Sequence, residues 1–151
     1  MTTMTPHALR RTRYREWLAA QELRWGFDAE IAAMADKTRG AVQNDTPPVE
    51  RWHRILPTVR LAERLRDTFG VTTIHSAYRT IAYNAAIDGS ATQSRHIEGD
   101  ALDVSCATGT PADWAAALRA LRTQGAFKGG IGVYATFVHV DTRGANADWT
   151  G

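Results

Sequence analysis

The order of the periodic segments in this chain predicts an α+β fold with a small antiparallel sheet. Helical patterns come first in the sequence, and short strand patterns cluster later. This separation of helices from strands is typical of α+β domains. The length of 151 residues suits one domain with its own core and is too short for two full domains. We therefore expect helices packed against one small sheet.

Two helices are predicted near the start of the chain. Residues 7–24 place apolar side chains loosely at helical spacing, and Pro6 stands where a helix would begin. A second helical run extends from Asp28, which is placed to cap it, to about Lys37. Both runs carry charged residues between the apolar ones, which favours helices that are exposed on one side.

A loop is predicted over residues 38–48, which gather Gly, Asn, Asp and two prolines. This loop is the best candidate for a boundary. It separates a helical segment, residues 1–48, from the main body of the chain, residues 49–151. Because the chain is short, we expect the helical segment to pack on the same domain as the main body.

The main body combines helices and strands. One helix is predicted to run from Pro57 with its apolar residues on one side and to stop at Gly70. A later helix extends from Pro111, in its first turn, to about Thr123. The remaining patterns predict strands at residues 71–74, 100–105, 131–134 and 137–141, and a short helix at residues 81–87.

Composition limits the kinds of site that the chain can form. The single cysteine, Cys106, excludes an internal disulfide and a cysteine-rich zinc knuckle, so metal ligands must be His, Asp or Glu. We expect Cys106 to be a small buried residue. The net charge is +2 and the pI is near 9.0. Four arginines crowd near the amino terminus, where they predict a solvated helix face or a patch for an anionic polymer: Arg10, Arg11, Arg13 and Arg15.

Nucleic acids and membranes are not expected as partners. The basic residues are not interleaved with aromatic residues that could stack on bases. No stretch approaches the roughly 20 apolar residues of a membrane helix, and no apolar run follows the first arginines as in a signal peptide. We therefore expect synthesis in the cytoplasm. If the substrate lies outside the cell, another component must release the protein.

Three residues in or beside two predicted strands form a candidate metal site: His96, Asp103 and His139. Asp103 lies on the polar face of one strand, His139 and Asp141 lie on the polar face of another, and His96 lies on the loop entering the first. Two imidazoles and one carboxylate leave a tetrahedral zinc one open position, which a hydrolytic zinc needs for water. By spacing alone, hydrogen-bonded structural histidines remain the alternative.

Several ordered motifs resemble one known family. SRHIEGDALD, residues 94–103, is similar to the S-x-H-x-x-G-x-A-x-D signature of the zinc D-alanyl-D-alanine carboxypeptidase and dipeptidase family, whose fold is related to the hedgehog signalling domain. The resemblance covers about residues 57–149 and is greatest to cell-wall hydrolases of phages and bacteria. Its other parts are SAYR at 76–79, YN at 83–84, GGIGVY at 129–134, FVHVDT at 137–142, and Trp149.

The resemblance implies that residues 49–151 form a zinc peptidase domain of this type, with three metal ligands: His96, Asp103 and His139. Arg79 matches the arginine that stabilises negative charge on the substrate carbonyl, with a salt bridge supporting the turn as the alternative.

Other motif residues are assigned to the surroundings of the site. Ser94 is expected to bind the ligand loop or the substrate. Tyr78 is assigned with it to substrate binding, although packing beneath the site is the alternative for Tyr78 and also for Tyr83. Asn84 is expected to fasten its loop through backbone hydrogen bonds.

The residue that would act as general base departs from the family pattern. Family members place an acidic residue three positions before the last histidine, and Thr136 stands there in this chain. Asp141 is therefore expected to act as the catalytic base or, as we favour, to orient the His139 imidazole. Glu98 and His75 are further candidates, each expected to be exposed or structural.

The implied function is that of a zinc metallopeptidase cutting amide bonds in peptidoglycan stem peptides. It would act as a DD-carboxypeptidase or an endopeptidase, for example as a phage endolysin, with a peptidoglycan peptide as its partner. The cell wall would be reached after release in phage lysis or from a virion. The alternatives are a non-catalytic, zinc-stabilised module that binds peptidoglycan, which Thr136 would permit, and a structural component of a virion. The sequence specifies neither the bond that is cut nor the oligomeric state.

Overall fold

The computed structural model describes residues 3–151. Its first helix, α1 (Pro6–Ala19), begins as predicted: Thr5 caps it by accepting a hydrogen bond from the Ala8 N–H at 3.1 Å. The helix ends at Ala19, five residues before the predicted end, and the chain then passes through Glu22 with a φ of 58°. A non-glycine residue rarely adopts such a conformation, and a helix cannot continue through it.

The second helix, α2 (Phe27–Ala33), begins one residue earlier than predicted. Its cap is Gly26, with a φ of 72°, so the prediction that Asp28 caps the helix was wrong. The carboxylate of Asp28 lies instead in the first turn, where it interacts favourably with the helix dipole. A 3₁₀ turn, Met34–Asp36, extends the helix to the predicted end.

Residues 38–48 are not entirely loop. They contain a small antiparallel hairpin of two strands, β1 (Thr38–Arg39) and β2 (Val42–Gln43). Strands of two residues carry no alternation that a sequence pattern could reveal. The hairpin is followed by a 3₁₀ helix, Val49–Ile55, that leads directly into the next α-helix.

The two long helices of the main body are confirmed. Helix α3 (Leu56–Phe69) ends at Gly70, whose φ of 83° is in the region that favours glycine. A later helix, α6 (Pro111–Thr123), has the predicted bounds and starts with a capping box formed by Thr110. The remaining elements are β3 (Thr72–Ser76), α4 (Ile81–Ala86), α5 (Arg95–Glu98), β4 (Ala101–Cys106), β5 (Gly130–Val133), β6 (Val138–Asp141) and β7 (Ala147–Thr150).

The main sheet has five strands in the order β3-β4-β6-β5-β7. Neighbouring strands are antiparallel except for β5 and β7, which pair in parallel at the edge. The predicted α+β fold is confirmed, with one parallel edge strand added to the expected antiparallel sheet. Strand β7 and the single-turn helix α5 were not predicted. Helix α5 is too short to show a helical period, and β7 has a single large apolar residue, Trp149.

The two faces of the sheet differ in character. One face is apolar, packs against α3 and α6, and is fully buried at five positions: Leu102, Val104, Ile131, Val138 and Val140. Residues of α1 and α2, among them Leu18 and Phe27, belong to the same core. The other face carries the polar residues singled out by the sequence. The apolar face of the sheet therefore packs on the core, and the polar face is available to form a site.

Cys106 and most of the amino-terminal arginines have ordinary structural roles. Cys106 is half-buried, with its thiol 3.3 Å from the Thr72 hydroxyl. Most of the amino-terminal arginines form ion pairs on the surface, as expected of a solvated helix face; the pairs are Arg10 with Asp45, Arg11 with Asp36 and Arg15 with Asp28.

None of the helices within residues 3–151 is both long and apolar enough to cross a lipid bilayer.

Candidate metal centre

Asp103 and His139 are brought together by strand pairing. They lie directly opposite each other in the antiparallel ladder of β4 and β6, with their side chains on the polar face of the sheet. Directly opposed residues have adjacent side chains. The Nδ1 atom of His139 lies 2.9 Å from Oδ1 of Asp103, and both side chains are buried.

His96 approaches the same carboxylate from helix α5. Ser94 caps this single turn by accepting a hydrogen bond from the His96 N–H at 3.2 Å. The turn ends at Gly99, whose φ of 89° redirects the chain into β4. The Nε2 atom of His96 lies 3.1 Å from Oδ2 of Asp103. His96, which was predicted to lie on a loop, is thus held by a short capped helix.

The three side chains form a compact group. One potential ligand atom from each lies within 4.8 Å of the other two, and within residues 3–151 this is the one such group of three histidine, cysteine, aspartate or glutamate residues. The two imidazole rings are nearly perpendicular, with their centroids 5.1 Å apart. Two imidazoles and a carboxylate make up a donor set suited to a hydrolytic zinc ion.

The outer nitrogens of both histidines are held by hydrogen bonds. Nδ1 of His96 lies 2.7 Å from the carbonyl oxygen of Ala77, and Nε2 of His139 lies 2.8 Å from Oδ2 of Asp141. A carbonyl or carboxylate oxygen can only accept, so these two nitrogens carry the hydrogens. In its neutral form His96 therefore turns the lone pair of Nε2 towards Asp103. His139 has a carboxylate at each ring nitrogen, so both of its nitrogens can donate unless a cation lies beside Nδ1. Such outer hydrogen bonds orient the imidazoles of metal sites.

A lone pair of His96 that faces the Asp103 carboxylate is unfavourable without a cation between the two groups. A proton on His139 meets this need in part, and a zinc ion meets it for all three groups. The residues present therefore fit a zinc ion on chemical grounds. Asp103 itself is buried, and an ionised carboxylate is unfavourable in such a place unless cations surround it.

The ionisation of the three groups is consistent with metal binding. Burial raises the pKa of Asp103, but the adjacent imidazoles of His96 and His139 outweigh burial and hold that pKa well below its usual range. Burial lowers the pKa of His96 below its ordinary value despite the attraction of Asp103. Burial also acts to lower the pKa of His139, but two carboxylates outweigh it and raise that pKa. Metal ligands must be deprotonated, and two of the three groups already favour that form.

Arg79 lies beside this group with its guanidinium held by neutral partners. Its Nε donates to the Ser76 hydroxyl at 3.1 Å, and Nη1 donates to Oδ1 of Asn84 at 3.2 Å. Nη2 lies 3.7 Å from Oδ2 of Asp103, which is longer than a hydrogen bond. Burial lowers the pKa of Arg79, although an arginine remains charged in practice. The guanidinium is thus fixed in place while its charge stays available to a substrate.

Asn84 fastens its loop as predicted. It is buried, and its side-chain NH₂ group donates to the carbonyl oxygen of Ala91 at 2.9 Å. The same amide therefore ties the loop after α4 to the guanidinium of Arg79.

Asn44 holds the segment around Arg79 in place and was not predicted from the sequence. Its NH₂ group donates to the carbonyl oxygens of Tyr78 at 2.8 Å and Met34 at 3.1 Å, and its Oδ1 accepts from the Thr80 N–H at 3.0 Å. Two of these bonds hold the residues on either side of Arg79. No sequence signal pointed to Asn44, because it lies 35 positions before Arg79 in a segment read as a loop.

Asp141 lies behind His139 and is fully buried. Arg143 donates to both of its carboxylate oxygens, at 2.8 and 2.7 Å, and the Gly130 N–H donates to Oδ1 at 3.0 Å. Burial raises the pKa of Asp141, but the hydrogen bonds from Arg143 and His139 outweigh it and hold that pKa well below its usual range. With both oxygens engaged, the carboxylate is placed to orient His139. Arg143 was not anticipated from the sequence.

The polar face opens into a cavity of about 510 Å³. Its base is formed by the three grouped residues and Arg79. Its lining also includes the segment over residues 87–95, with Ser94, and an aromatic wall formed by Tyr134, Phe137 and Trp149. Two further guanidinium groups line it, those of Arg95, paired with Asp100, and Arg143.

Other predicted residues lie outside the cavity. Tyr78 lines a separate surface pocket with Trp52 and Thr80. Thr136 is exposed in the turn between β5 and β6, and neither its hydroxyl nor its position provides a base.

The two further base candidates are engaged elsewhere. His75 bonds the Ser105 hydroxyl at 2.6 Å, and Glu98 forms an ion pair with Arg54 at 3.3 Å. Both have structural contacts, as expected, and neither lines the cavity.

Comparison with known families assigns the chain to one of them. A family profile described as peptidase M15 matches residues 27–141, which is well over half of the chain and includes all three grouped residues. The chain therefore belongs to the peptidase M15 family, a class of zinc-dependent metallopeptidases. Neither a curated protein nor a solved structure matches the chain.

Proposed function

We propose that this protein is a zinc-dependent peptidase that hydrolyses amide bonds in peptidoglycan stem peptides. The observation that carries the proposal is the convergence of His96, Asp103 and His139, with the outer nitrogens of both rings held by acceptors. These three residues are the proposed metal ligands. Membership of the peptidase M15 family supports the reaction class, and the similarity of the motifs to cell-wall hydrolases supports the substrate class and a setting in phage lysis or a virion.

The reaction requires a polarised carbonyl and an activated water molecule. When bound, a zinc ion supplies Lewis-acid activation for both. The chain must then place the peptide and stabilise the charge that develops on the carbonyl oxygen. Arg79 is the proposed residue for that charge, since its guanidinium lines the cavity beside Asp103 and is fixed by Ser76 and Asn84.

Asp141 is proposed to act through His139. Its hydrogen bond fixes the imidazole with Nδ1 towards Asp103, and its own oxygens are held by Arg143. Within the described residues, Asp88 is the one carboxylate lining the cavity besides that of Asp103, and it is exposed on the loop after α4. The group that transfers the proton during the reaction is therefore expected on that loop or in the substrate itself.

The cavity suits a peptide that carries carboxylates. Three guanidinium groups line it, those of Arg79, Arg95 and Arg143, although the latter two are already paired with aspartates. Ser94 is half-buried at the rim and is proposed to contact the substrate. For Tyr78 we propose packing beneath the ligand helix, because its ring lies beside Gly99 and outside the cavity.

The test is digestion of purified peptidoglycan by the zinc-loaded protein, with mass spectrometry of the released muropeptides. We expect new amino groups and a defined mass loss, which also identifies the bond. Activity should disappear after chelation and return when zinc is restored, and His139→Ala should be inactive. Intact muropeptides after prolonged digestion with fully zinc-loaded wild type would refute the enzymatic proposal.

A non-catalytic binding module is the second candidate. It is favoured by the exposed Thr136, which stands where family members carry an acidic residue. In this case the zinc-loaded protein would sediment with peptidoglycan without releasing amino groups. Binding together with release supports the peptidase, whereas binding alone supports the module.

A further inference from the structure

The phenol ring of Tyr134 is fixed in the aromatic wall of the cavity. Its backbone N–H donates to the carbonyl oxygen of Phe137 at 3.0 Å, which closes the turn between β5 and β6. The two rings are stacked, with centroids 4.5 Å apart and planes 7° from parallel. On another side, a Cβ added to Gly151 would lie 2.1 Å from the Tyr134 ring, so the chain passes close against it. These contacts leave the ring little freedom to turn.

The hydroxyl of Tyr134 has one partner, and that partner determines its role. Nε1 of Trp149 donates to the phenol oxygen at 2.9 Å. An indole N–H can only donate, so the phenol oxygen is the acceptor and its own hydrogen remains free for another group. Within residues 3–151, no protein group accepts this hydrogen. The cavity that Tyr134 lines is the place where an acceptor can be supplied.

Trp149 links this phenol to the candidate metal centre. In the sheet, Gly132 pairs with Trp149 on one side and with His139 on the other. A Cβ at Gly132 would lie 2.5 Å from the indole, so only glycine leaves room for the ring there. The indole packs against the His139 imidazole, with centroids 5.1 Å apart. The histidine, the indole and the phenol therefore form one rigid series of contacts.

We propose that Tyr134 is a catalytic residue whose O–H donates a hydrogen bond to the oxygen of the scissile carbonyl, together with Arg79. This inference rests on the proposed peptidase function. Tyr134 and Arg79 line the same cavity as the three proposed metal ligands. A carbonyl oxygen becomes more basic as water adds to its carbon, so a fixed donor binds it more strongly in the transition state. No proton is transferred in this step.

The experiment compares Tyr134→Phe with wild type and with Tyr14→Phe. Phenylalanine keeps the ring contacts of Tyr134 and removes only the hydroxyl. Tyr14 is buried against Trp52 in the core around α1, so Tyr14→Phe is the same chemical change outside the cavity. The measurements are zinc content, thermal unfolding, kcat and KM on a defined stem pentapeptide, and the Kd of a phosphinate analogue of D-alanyl-D-alanine, whose tetrahedral oxygens resemble the transition state.

We expect Tyr134→Phe to lower kcat roughly 100-fold with little change in KM, as for the loss of one oxyanion donor. The Kd of the phosphinate should rise at least tenfold, while zinc content stays at the wild-type value. Tyr14→Phe should match wild type in kcat. A second variant, Trp149→Phe, removes the indole N–H that holds the phenol oxygen, and its kcat should also fall. Wild-type kcat in Tyr134→Phe would overturn the role of Tyr134, whatever the kcat of Trp149→Phe.

An inactive wild type is a separate outcome. It would refute the proposed peptidase function, and the phosphinate would then decide the present inference alone. Weaker phosphinate binding by Tyr134→Phe than by wild type would support the contact. Equal binding by the two proteins, or no binding by wild type, would overturn it.

Discussion

The carboxylate of Asp103 lies between two imidazoles and close to one guanidinium, and each of these groups is held from behind. His96 is held by a backbone carbonyl, His139 by Asp141, and Arg79 by Ser76 and Asn84. The chemistry of the site thus depends on residues that do not themselves face the cavity. A metal ion or a substrate meets side chains whose orientation is already set, which reduces the entropy lost on binding.

Replacement of Asp141 tests whether its hydrogen bond with His139 strengthens zinc binding. In Asp141→Asn, His139 loses its charged acceptor and Arg143 loses its ion pair, so we expect zinc affinity to fall about 10- to 100-fold. The measurement is competition with a chromophoric chelator. Asp67→Asn is the matched control, because Asp67 also pairs with an arginine, Arg24, but on the exposed surface. Equal zinc affinity in the Asp141 variant and wild type would contradict the positioning role.

Replacement of Arg79 tests charge stabilisation. Arg79→Lys keeps the positive charge but cannot contact Ser76 and Asn84 with the same planar fork. We expect kcat to fall roughly 100-fold with a smaller effect on KM and no effect on zinc content. Steady-state kinetics on a stem peptide is the measurement, with Arg119→Lys in a surface ion pair as control. A loss confined to KM would assign Arg79 to substrate binding alone.

At the scale of elements, the site is assembled from parts that are distant in the chain. Strand pairing sets Asp103 opposite His139, and a β-bulge between Ile74 and Ser76 sets Ser76 opposite Asp103. The parallel strand β7 then adds Trp149 beside His139. Short and irregular pieces, such as the single turn α5, complete the cavity because the regular elements behind them are fixed by the core.

The small hairpin of β1 and β2 contributes through Asn44, which follows it. In Asn44→Ala, the carbonyl oxygen of Tyr78 and the N–H of Thr80 lose their partner, and the segment carrying Arg79 is freed. We expect kcat to fall several-fold with unchanged zinc content, and the free energy of unfolding to fall by about 1–3 kcal/mol.

Kinetics and urea unfolding measure the two effects of Asn44→Ala. Thr110→Ala is a useful comparison, since it removes a helix cap worth about 1 kcal/mol from α6, on the opposite face of the sheet. If both variants lost stability and neither lost activity, Asn44 would have no positioning role.

For the whole molecule, one core supports a site that is rich in charge. The apolar face of the sheet, α3 and α6 share this core with the helices of residues 6–33. The three grouped side chains His96, Asp103 and His139 are buried on the other face, where they are costly without a cation. Zinc should therefore stabilise the fold as well as serve the reaction, because it binds the assembled site and not the three dispersed residues of the unfolded chain.

Thermal unfolding tests this coupling. Zinc at roughly 100 times its Kd should add about 2.7 kcal/mol to the free energy of unfolding, with a rise of several degrees in Tm. The rise should be absent in His139→Ala and reversed by a chelator. An identical Tm with and without zinc in wild type would show that the grouped residues do not bind the ion tightly.

Much of this organisation was predictable from local patterns. Helices α3 and α6 have a clear period, a proline near the start and a stop signal, so their bounds were predicted to within about one residue. The metal group followed from strand alternation and from ordered motifs, which place ligands at fixed spacing. The predictions failed where conformation depends on one residue, as at Gly26, or where an element is too short to show a period, as in β1 and β2.

The sequence by itself determined the fold class, the family and the three residues proposed to bind zinc, because periodicity and motif spacing are local properties of a chain. Only the tertiary structure decided how these residues are used. The decisive contacts join sheet neighbours or distant segments. Asp141 is buried against Arg143, Asn44 bonds the residues on either side of Arg79, and Trp149 bonds Tyr134. Such contacts exist only after the core has brought the elements together, so no local pattern could reveal them.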